Sequence, residues 1–327
     1  MDVGIFFKGD YLLFIFSTTY DTTVDLLVYY IGEANVFRFN TDIFKDYKIF
    51  IDEDSFRIED PTGRCITDKD IKKALWRKPS KIRDLFPEER QSPEDAYYEI
   101  EIWYVMREII NLLWSEGKIV LTEPLVDYRV GKFVQLKCAK KFFNVPKYIF
   151  RYGSDKKLNS NGDAIIKSLT SEPISDDGSV IFATKVSQND LDVNCPWFIQ
   201  EYVHSQKDIT VVFVRDEVFA FELDRTSFLD KTIDWRELSV DTTTDMWLPH
   251  ILPDYVKDSI FQFMRELKLH FGRFDFLYGE DKYYFLEINP NGQWAWLDSE
   301  RKLKLLDKVI NEISPDTPLY TIPFFRY

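Results

Sequence analysis

Two stretches decide the reading, Arg273-Phe-Asp-Phe-Leu277 and Tyr284-Phe-Leu-Glu-Ile-Asn-Pro-Asn-Gly292. Both are strand-like, and Gly279-Glu280-Asp281 between them is a hairpin turn. Alternate residues of a strand face the same side, so Glu287 and Asn289 share a face. Their neighbours are large and apolar, which predicts a mostly buried strand. Asp275 lies on the adjacent antiparallel strand. Buried carboxylates need protons, ionic partners or metals. Three oxygen donors without His or Cys suit Mg2+, which keeps waters and takes further ligands from phosphates. The competing reading is a solvated hairpin carrying unrelated acids.

Outward from this hairpin, a helix is expected from Pro253 to about Leu269 and a last helix over about 299–313. Residues 163–223 read mostly as strands: Ala164–Lys167, Val180–Phe182, Trp197–Gln200, Ile209–Val214 and Val218–Leu223. A polar loop, Ser168 to Ser179, separates the first two. A helix is predicted over about 132–143. The clearest helix runs from Pro93 to about Glu116, with Ser92 as N-cap, Ile102, Val105, Ile109 and Leu112 on one face, and Gly117 as its stop. At the start, a buried strand at 11–16, a helix capped by Asp21 and a strand at Asn35–Asn40 form a strand–helix–strand unit. Short strands near 47–52 and 55–59 follow.

The chain has 327 residues, 42 Lys+Arg against 55 Asp+Glu, and a formal net charge of −13. That balance argues against a nucleic-acid coat, which needs a basic surface. It leaves room for a local basic pocket. The three cysteines, Cys65, Cys138 and Cys195, are widely spaced, so neither a disulfide framework nor a thiolate zinc site is expected. No run reaches the roughly 18–20 apolar residues of a membrane span, and no secretory signal is evident. The expectation is a cytoplasmic protein that engages no membrane.

Phe285-Leu-Glu-Ile-Asn-Pro290 closely resembles the metal-binding strand of ATP-grasp enzymes. Further segments resemble the same family in its order. Gly131-Lys-Phe-Val-Gln-Leu-Lys-Cys-Ala139 is similar to its first lysine helix, Ile165-Ile-Lys167 to its second phosphate-contacting strand, and Phe198-Ile-Gln-Glu-Tyr-Val203 to its adenine-reading hinge. The resemblance implies an α/β (α+β) ATP-grasp fold with ATP held between the last two of three lobes. The divisions expected are 1–125, 126–200 and 201–327. It also implies ATP and Mg2+ as cofactors, with Asp275, Glu287 and Asn289 for the metal. Lys132, Lys167, Gln200, Glu201, Tyr202, Val203 and Asp208 would contact the nucleotide, and the loop 168–179 would cover its phosphates.

Within that family the whole chain resembles the peptide ligases of microviridin-type (graspetide) maturation. Phe37-Arg-Phe-Asn-Thr-Asp42, Leu75-Trp-Arg-Lys78, Ile233-Asp-Trp-Arg236 and Glu287–Trp294 carry this likeness. It implies an ATP-dependent macrocyclase that phosphorylates Asp or Glu side chains of a ribosomal precursor peptide and joins them to Ser/Thr hydroxyls or Lys amines. A precursor with leader and core would be the partner, the leader docking near 150–200, and a homodimer is expected. One position departs: Thr210 in Asp208-Ile-Thr-Val211 stands where the family commonly has arginine. Arg225, Arg236 and Arg273 are the cations expected to hold substrate carboxylate and acyl phosphate, because the guanidinium fork fits both. Surface pairing of Arg225 with Asp224 and of Arg236 with Asp234 is the alternative. Two further readings stay open. One is another ATP-grasp carboxylate–amine ligase, acting on an amino acid or protein tail. The other is a degenerate ATP-grasp binding protein. His204, His250 and His270 lack ligand spacing, and Trp294 and Trp296 read as core.

Overall fold

The computed structural model describes residues 5–6, 12–79, 92–159, 163–169, 181–228, 232–237 and 246–314. The chain divides into two compact units, Met1–Tyr128 with Gln293–Tyr327, and Arg129–Gly292. No described helix is long and apolar enough to cross a membrane.

The first unit holds two four-stranded sheets. One comprises β1 (Ile5–Phe6), β4 (Lys48–Ile51), β5 (Phe56–Glu59) and β6 (Arg64–Thr67), in the order β1–β6–β5–β4. The other is parallel and runs β3 (Val36–Asn40), β2 (Leu13–Ser17), β7 (Lys73–Trp76), β8 (Ile119–Val120). β2 is buried at every position, as befits a central parallel strand covered on both faces. The expected strand–helix–strand opening is present. Helix α1 (Thr22–Ile31) starts where the Asp21 carboxylate accepts from the Thr23 N–H at 3.0 Å, and it stops at Gly32, with φ 91°.

Helix α2 (Pro93–Ser115) buries Met106, Ile109, Ile110 and Leu113, an i, i+3, i+4, i+7 stripe. That stripe is rotated from the predicted face, and Leu112 is exposed. Ile102 and Val105 pack at its margin. The last helix is also shorter than predicted and spans Leu305–Ile313. The Asp298 carboxylate accepts from the backbone N–H groups of Leu303 and Leu305, which keeps the preceding residues in turns. Trp294 is buried, as its core reading requires.

The second unit holds two antiparallel sheets. One runs β11 (Thr184–Val186), β10 (Ala164–Lys167), β12 (Trp197–Glu201), β9 (Tyr148–Arg151). The strand predicted at 180–182 lies later in the chain. Ala183 donates its N–H to the Asp234 carboxylate at 3.2 Å, and ladder pairing begins at Thr184. Residue 180, and the part of the 168–179 loop beyond 169, lie outside the described residues. The other sheet runs β15 (Leu248–Pro249), β14 (Glu217–Asp224), β13 (Lys207–Val214), β16 (Phe271–Gly279), β17 (Lys282–Asn289).

Among the described residues this unit also holds the helices α3 (Lys132–Ala139) and α4 (Asp254–Glu266). α3 ends before the predicted residue 143, because the chain turns to seat Phe143 against Phe263, Phe276 and Phe285. Phe274 completes this aromatic face of the five-stranded sheet. α4 lays Val256, Ile260, Phe263 and Met264 inward.

The β16–β17 turn places Glu280 and Asp281 at φ 53° and 57°, as a two-residue hairpin loop with both residues left-handed demands. Just before it the His204 carbonyl approaches Gly279 so closely that an added Cβ would sit 2.3 Å from that oxygen. The contact is backbone on backbone, so it cannot relax by a rotamer change. Gly279→Ala is expected to cost about 1–3 kcal/mol through overpacking. Urea unfolding checks this, and an unchanged midpoint would contradict the close approach.

Candidate nucleotide and metal site

The five-stranded sheet is aromatic on one face and ionic on the other. Cross-strand partners point the same way, so the register fixes which residues share the ionic face. Thr210 pairs with Asp275, Asp275 with Glu287, and Arg273 with Asn289. Asp208 is two residues before Thr210 on the same strand. Asp208, Thr210, Arg273, Asp275, Glu287 and Asn289 therefore line one side. The pairing passes from Asp275↔Glu287 to Phe276↔Phe285, leaving Leu286 as the extra residue of a bulge. The bulge keeps Phe285 in the aromatic core while Glu287 meets Asp275 on the other face. At the end of β17 the chain turns sharply, and Gly292 N–H donates to the Asn289 carbonyl. A Cβ on Gly292 would press on Arg273 at 3.0 Å and on Asn289 at 3.3 Å.

Lys132, the first residue of α3, forms an ion pair with Glu287. The buried amide of Gln135 sets this contact. Its carbonyl oxygen accepts from the Ile288 N–H at 3.0 Å, and its NH2 donates to the Val130 carbonyl at 2.9 Å. The helix is thereby pinned to β17 beside Glu287. Lys132 is the main cause that holds the Glu287 carboxyl down at about 2, outweighing burial, with Lys167 and Arg236 adding to it. The Glu287 side chain is 37% exposed, so the group can still be reached.

Lys167 lies on β10. Burial pushes its ammonium down to about 8, and the positive charge of Lys132 pushes the same way. Glu287 and Asp234 oppose this shift, while Arg236 reinforces it. Two lysines and an arginine thus surround Glu287, at a spacing where like charges repel.

Gln200 of β12 is opposite Ile165 and shares a sheet face with Lys167. It is 1% exposed, and among the described residues neither atom of its side-chain amide has a hydrogen-bond partner. A buried amide left without partners is costly, and a ligand that both donates and accepts would relieve it. After it, Glu201 exchanges bonds with Lys147, N–H to carbonyl at 2.9 Å and carboxylate from N–H at 3.3 Å. Tyr202 N–H donates to the Asp163 carbonyl, and the Lys185 ammonium lies 4.8 Å from the Tyr202 ring centre. Val203 follows, half-buried, on the way to β13.

The three arginines are differently placed. Arg273 pairs with Asp275 at 3.1 Å. Arg236 is held by Asp234, through Nε–H at 2.8 Å and Nη2–H at 2.5 Å. Burial would raise the Asp234 carboxyl, but its bonds from Arg236 and from the Ala183 and Arg236 amides keep it below the usual range. Arg225 does not pair with Asp224, which instead accepts from Thr226. Its Nη1 donates to both oxygens of Asp208 at 2.8 Å, and its Nη2 donates to the Ile233 carbonyl at 2.9 Å. Asp208 is correspondingly buried, and burial pushes its carboxyl up to about 6 against the pull of Arg225.

The Thr210 hydroxyl lies 3.1 Å from both the Phe274 carbonyl and Asp275, and its one proton is shared between these acceptors. It therefore orients a candidate metal carboxylate and supplies no charge. Gln135 and Thr210 act through others, and the sequence signals neither role. Asp234 enters the sequence reading as part of the Ile233–Arg236 likeness and as a surface partner for Arg236. Its contact with Ala183 had no sequence signal.

Among the described residues no three His, Cys, Asp or Glu side chains group to hold a metal. His250 instead lies between Glu222 and the Tyr283 hydroxyl. The oxygen set of β16–β17 is two carboxylates and the Asn289 amide, in keeping with a cation that takes its remaining ligands from elsewhere.

No family model and no curated protein sequence matches the chain. Solved structures do. A RiPP-associated ATP-grasp ligase of Chryseobacterium gregarium, in complex with ADP and a leader and core peptide, is similar with a TM-score of 0.75 at 24% identity, over 94% of this chain and 98% of that one. The macrocyclase MdnC of Microcystis aeruginosa MRC, bound with precursor peptide MdnA, gives 0.72 at 21% identity, over 92% and 98%. The D-alanine–D-alanine ligase of Bacillus anthracis, complexed with ATP, gives 0.50 at 12% identity, over 93% and 97%. The chain has the ATP-grasp fold.

Proposed function

We propose that the protein is an ATP-dependent macrocyclase of a ribosomal precursor peptide. The observation that carries this reading is the concentration of Lys132, Lys167 and Arg236 around Glu287 and Asp275, in a chain whose net charge is −13. Such a pocket is an anion site carved out of an acidic molecule, with its field confined to short range. The likeness over nearly full length to the Chryseobacterium ligase and to MdnC supports the substrate class.

The residues fit ATP. Gln200 presents a buried amide with unused donors and acceptors, matching an adenine edge. Glu201, Tyr202 and Val203 continue that strand. Lys132 and Lys167 suit the phosphate oxygens, and Lys132 would exchange its bond to Glu287 for one to phosphate. The residues also fit Mg2+. Asp275, Glu287 and Asn289 would hold it, and when bound it would neutralise charge on the transferring phosphoryl group.

The chemistry runs in two steps. A peptide Asp or Glu carboxylate attacks the γ-phosphorus, forming an acyl phosphate and releasing ADP. A peptide hydroxyl or amine then displaces phosphate, forming an ester or amide ring. The chain's part is to position the reactants and to offset negative charge. Arg236 and Arg273 are the cations available to the carboxylate and acyl phosphate. We further propose a cytoplasmic homodimer with lobes divided near 125 and 200 and the leader docked near 150–200.

Incubation with ATP, Mg2+ and candidate precursors tests the reading by mass spectrometry. Each ring should remove the mass of one water. Glu287→Gln should abolish ATP turnover. Precursors left unchanged while small amines are ligated would replace this reading with a free-substrate ligase. A wild type with no ATP turnover would favour a degenerate binding protein.

A second prediction concerns Lys167. NMR of 13C-methylated lysines should show one group titrating near pH 8 that is lost in Lys167→Arg. Removing the favourable carboxylate with Glu287→Gln should move that midpoint lower. A midpoint in the ordinary lysine range, or an upward shift, would contradict the charge cluster.

A further inference from the structure

Arg225 was singled out as a cation for the substrate, yet its geometry directs it elsewhere. The residue is 4% exposed and its Nη groups are engaged by three acceptors, the two Asp208 oxygens and the Ile233 carbonyl. The Phe228 ring lies 5.6 Å from it. Asp208 belongs to β13, in the sheet that carries Asp275 and Glu287. Ile233 immediately precedes Asp234, whose carboxylate binds two residues among those described. One is Arg236, on its own short 3-10 turn. The other is the Ala183 N–H, just before β11 and its partner β10, the strand of Lys167. A buried ion pair therefore ties the metal-side sheet to the segment that holds Arg236 and reaches the Lys167 sheet, beside a Thr232 N–H bond to the Phe228 carbonyl at 3.1 Å and the contact of the Trp235 and Trp247 rings.

We infer that Arg225 is a positioning residue: clamped between Asp208 and the Ile233 carbonyl, it fixes residues 232–237 so that Arg236 is set against Glu287 and Lys167. Its effect on the reaction rests on the proposed function, but the clamp itself does not. A guanidinium suits the task because its planar fork bonds the carboxylate from one nitrogen and the carbonyl from another. A lysine ammonium at the same place is a single point charge. It can keep the pair with Asp208 while losing the reach to Ile233.

That difference supplies the test. Hydrogen exchange followed by mass spectrometry is run on the full chain for wild type, Arg225→Lys and the charge-free double variant Asp208→Asn/Arg225→Met. The expected result is faster exchange in peptides covering 232–237 and 181–186 in both variants, with Arg225→Lys keeping the wild-type melting temperature. Rescue of exchange by lysine, or no change in those peptides, would overturn the clamp.

A double-mutant cycle on kcat/KM for ATP-driven turnover of the precursor carries it to the site. Arg236→Met should lower it about tenfold in the wild type, and the same change should cost under about twofold once residues 208 and 225 are replaced, since coupled residues do not add. Equal penalties in both backgrounds would contradict the positioning role. A wild type that turns over no precursor while the exchange result holds would sink the proposed function and leave the clamp standing.

Discussion

Glu287 sits at a point where positive charge outnumbers negative. Lys132 contacts it directly, and Lys167 and Arg236 act on it through space. The rest of the site follows from this crowding. One lysine is satisfied by the carboxylate, and the other loses part of its hold on its proton. Like charges gathered in a half-buried pocket are unfavourable without a counter-charge. The ionic face of the sheet is thus set for an anion with more charge than one carboxylate offers. A polyphosphate answers that description, and an acidic peptide adds to it.

The fold supplies what the charges require. Phe274, Phe276 and Phe285, packed with Phe143 and Phe263, make one side of the sheet rigid and dry. The Leu286 bulge then lets β17 serve both faces, with Phe285 in that core and Glu287 on the other side. Gln135 locks α3 to β17 by a side-chain–backbone bond. Positioning is thus distributed over uncharged residues, and the charged ones are left for ligands. Asp208 with Arg225, and Asp234, are exceptions; in the buried pair Arg225 offsets only part of the cost of burying the Asp208 carboxylate.

Much of this was legible in the residues themselves. The 273–292 hairpin reads from strand alternation and its turn, and the Asp21 cap and parallel opening from short-range rules. The site residues read from their resemblance to a family pattern. What escaped depends on pairing at a distance. Asp208 and Arg225 were read separately, although counting outward from the Arg215-Asp216 turn brings them onto facing strand ends, with Lys207 opposite Asp224. The Ala183–Asp234 bond moved a strand, and the Asp298 carboxylate shortened a helix. Both are side chains capturing a backbone donor far from any local propensity. Leu112 was misplaced because the stripe through Met106 fits the helical period as well as the predicted one.

The central claim is that a lysine whose hold on its proton is weakened by burial and by the charge of Lys132 awaits a polyphosphate. Calorimetry of ATP binding near pH 8.5, in buffers of differing ionisation enthalpy, tests this directly. Binding should take up a fraction of one proton as Lys167 regains its charge, and the uptake should vanish in Lys167→Arg. Binding without proton uptake, or uptake unchanged in that variant, would contradict the account.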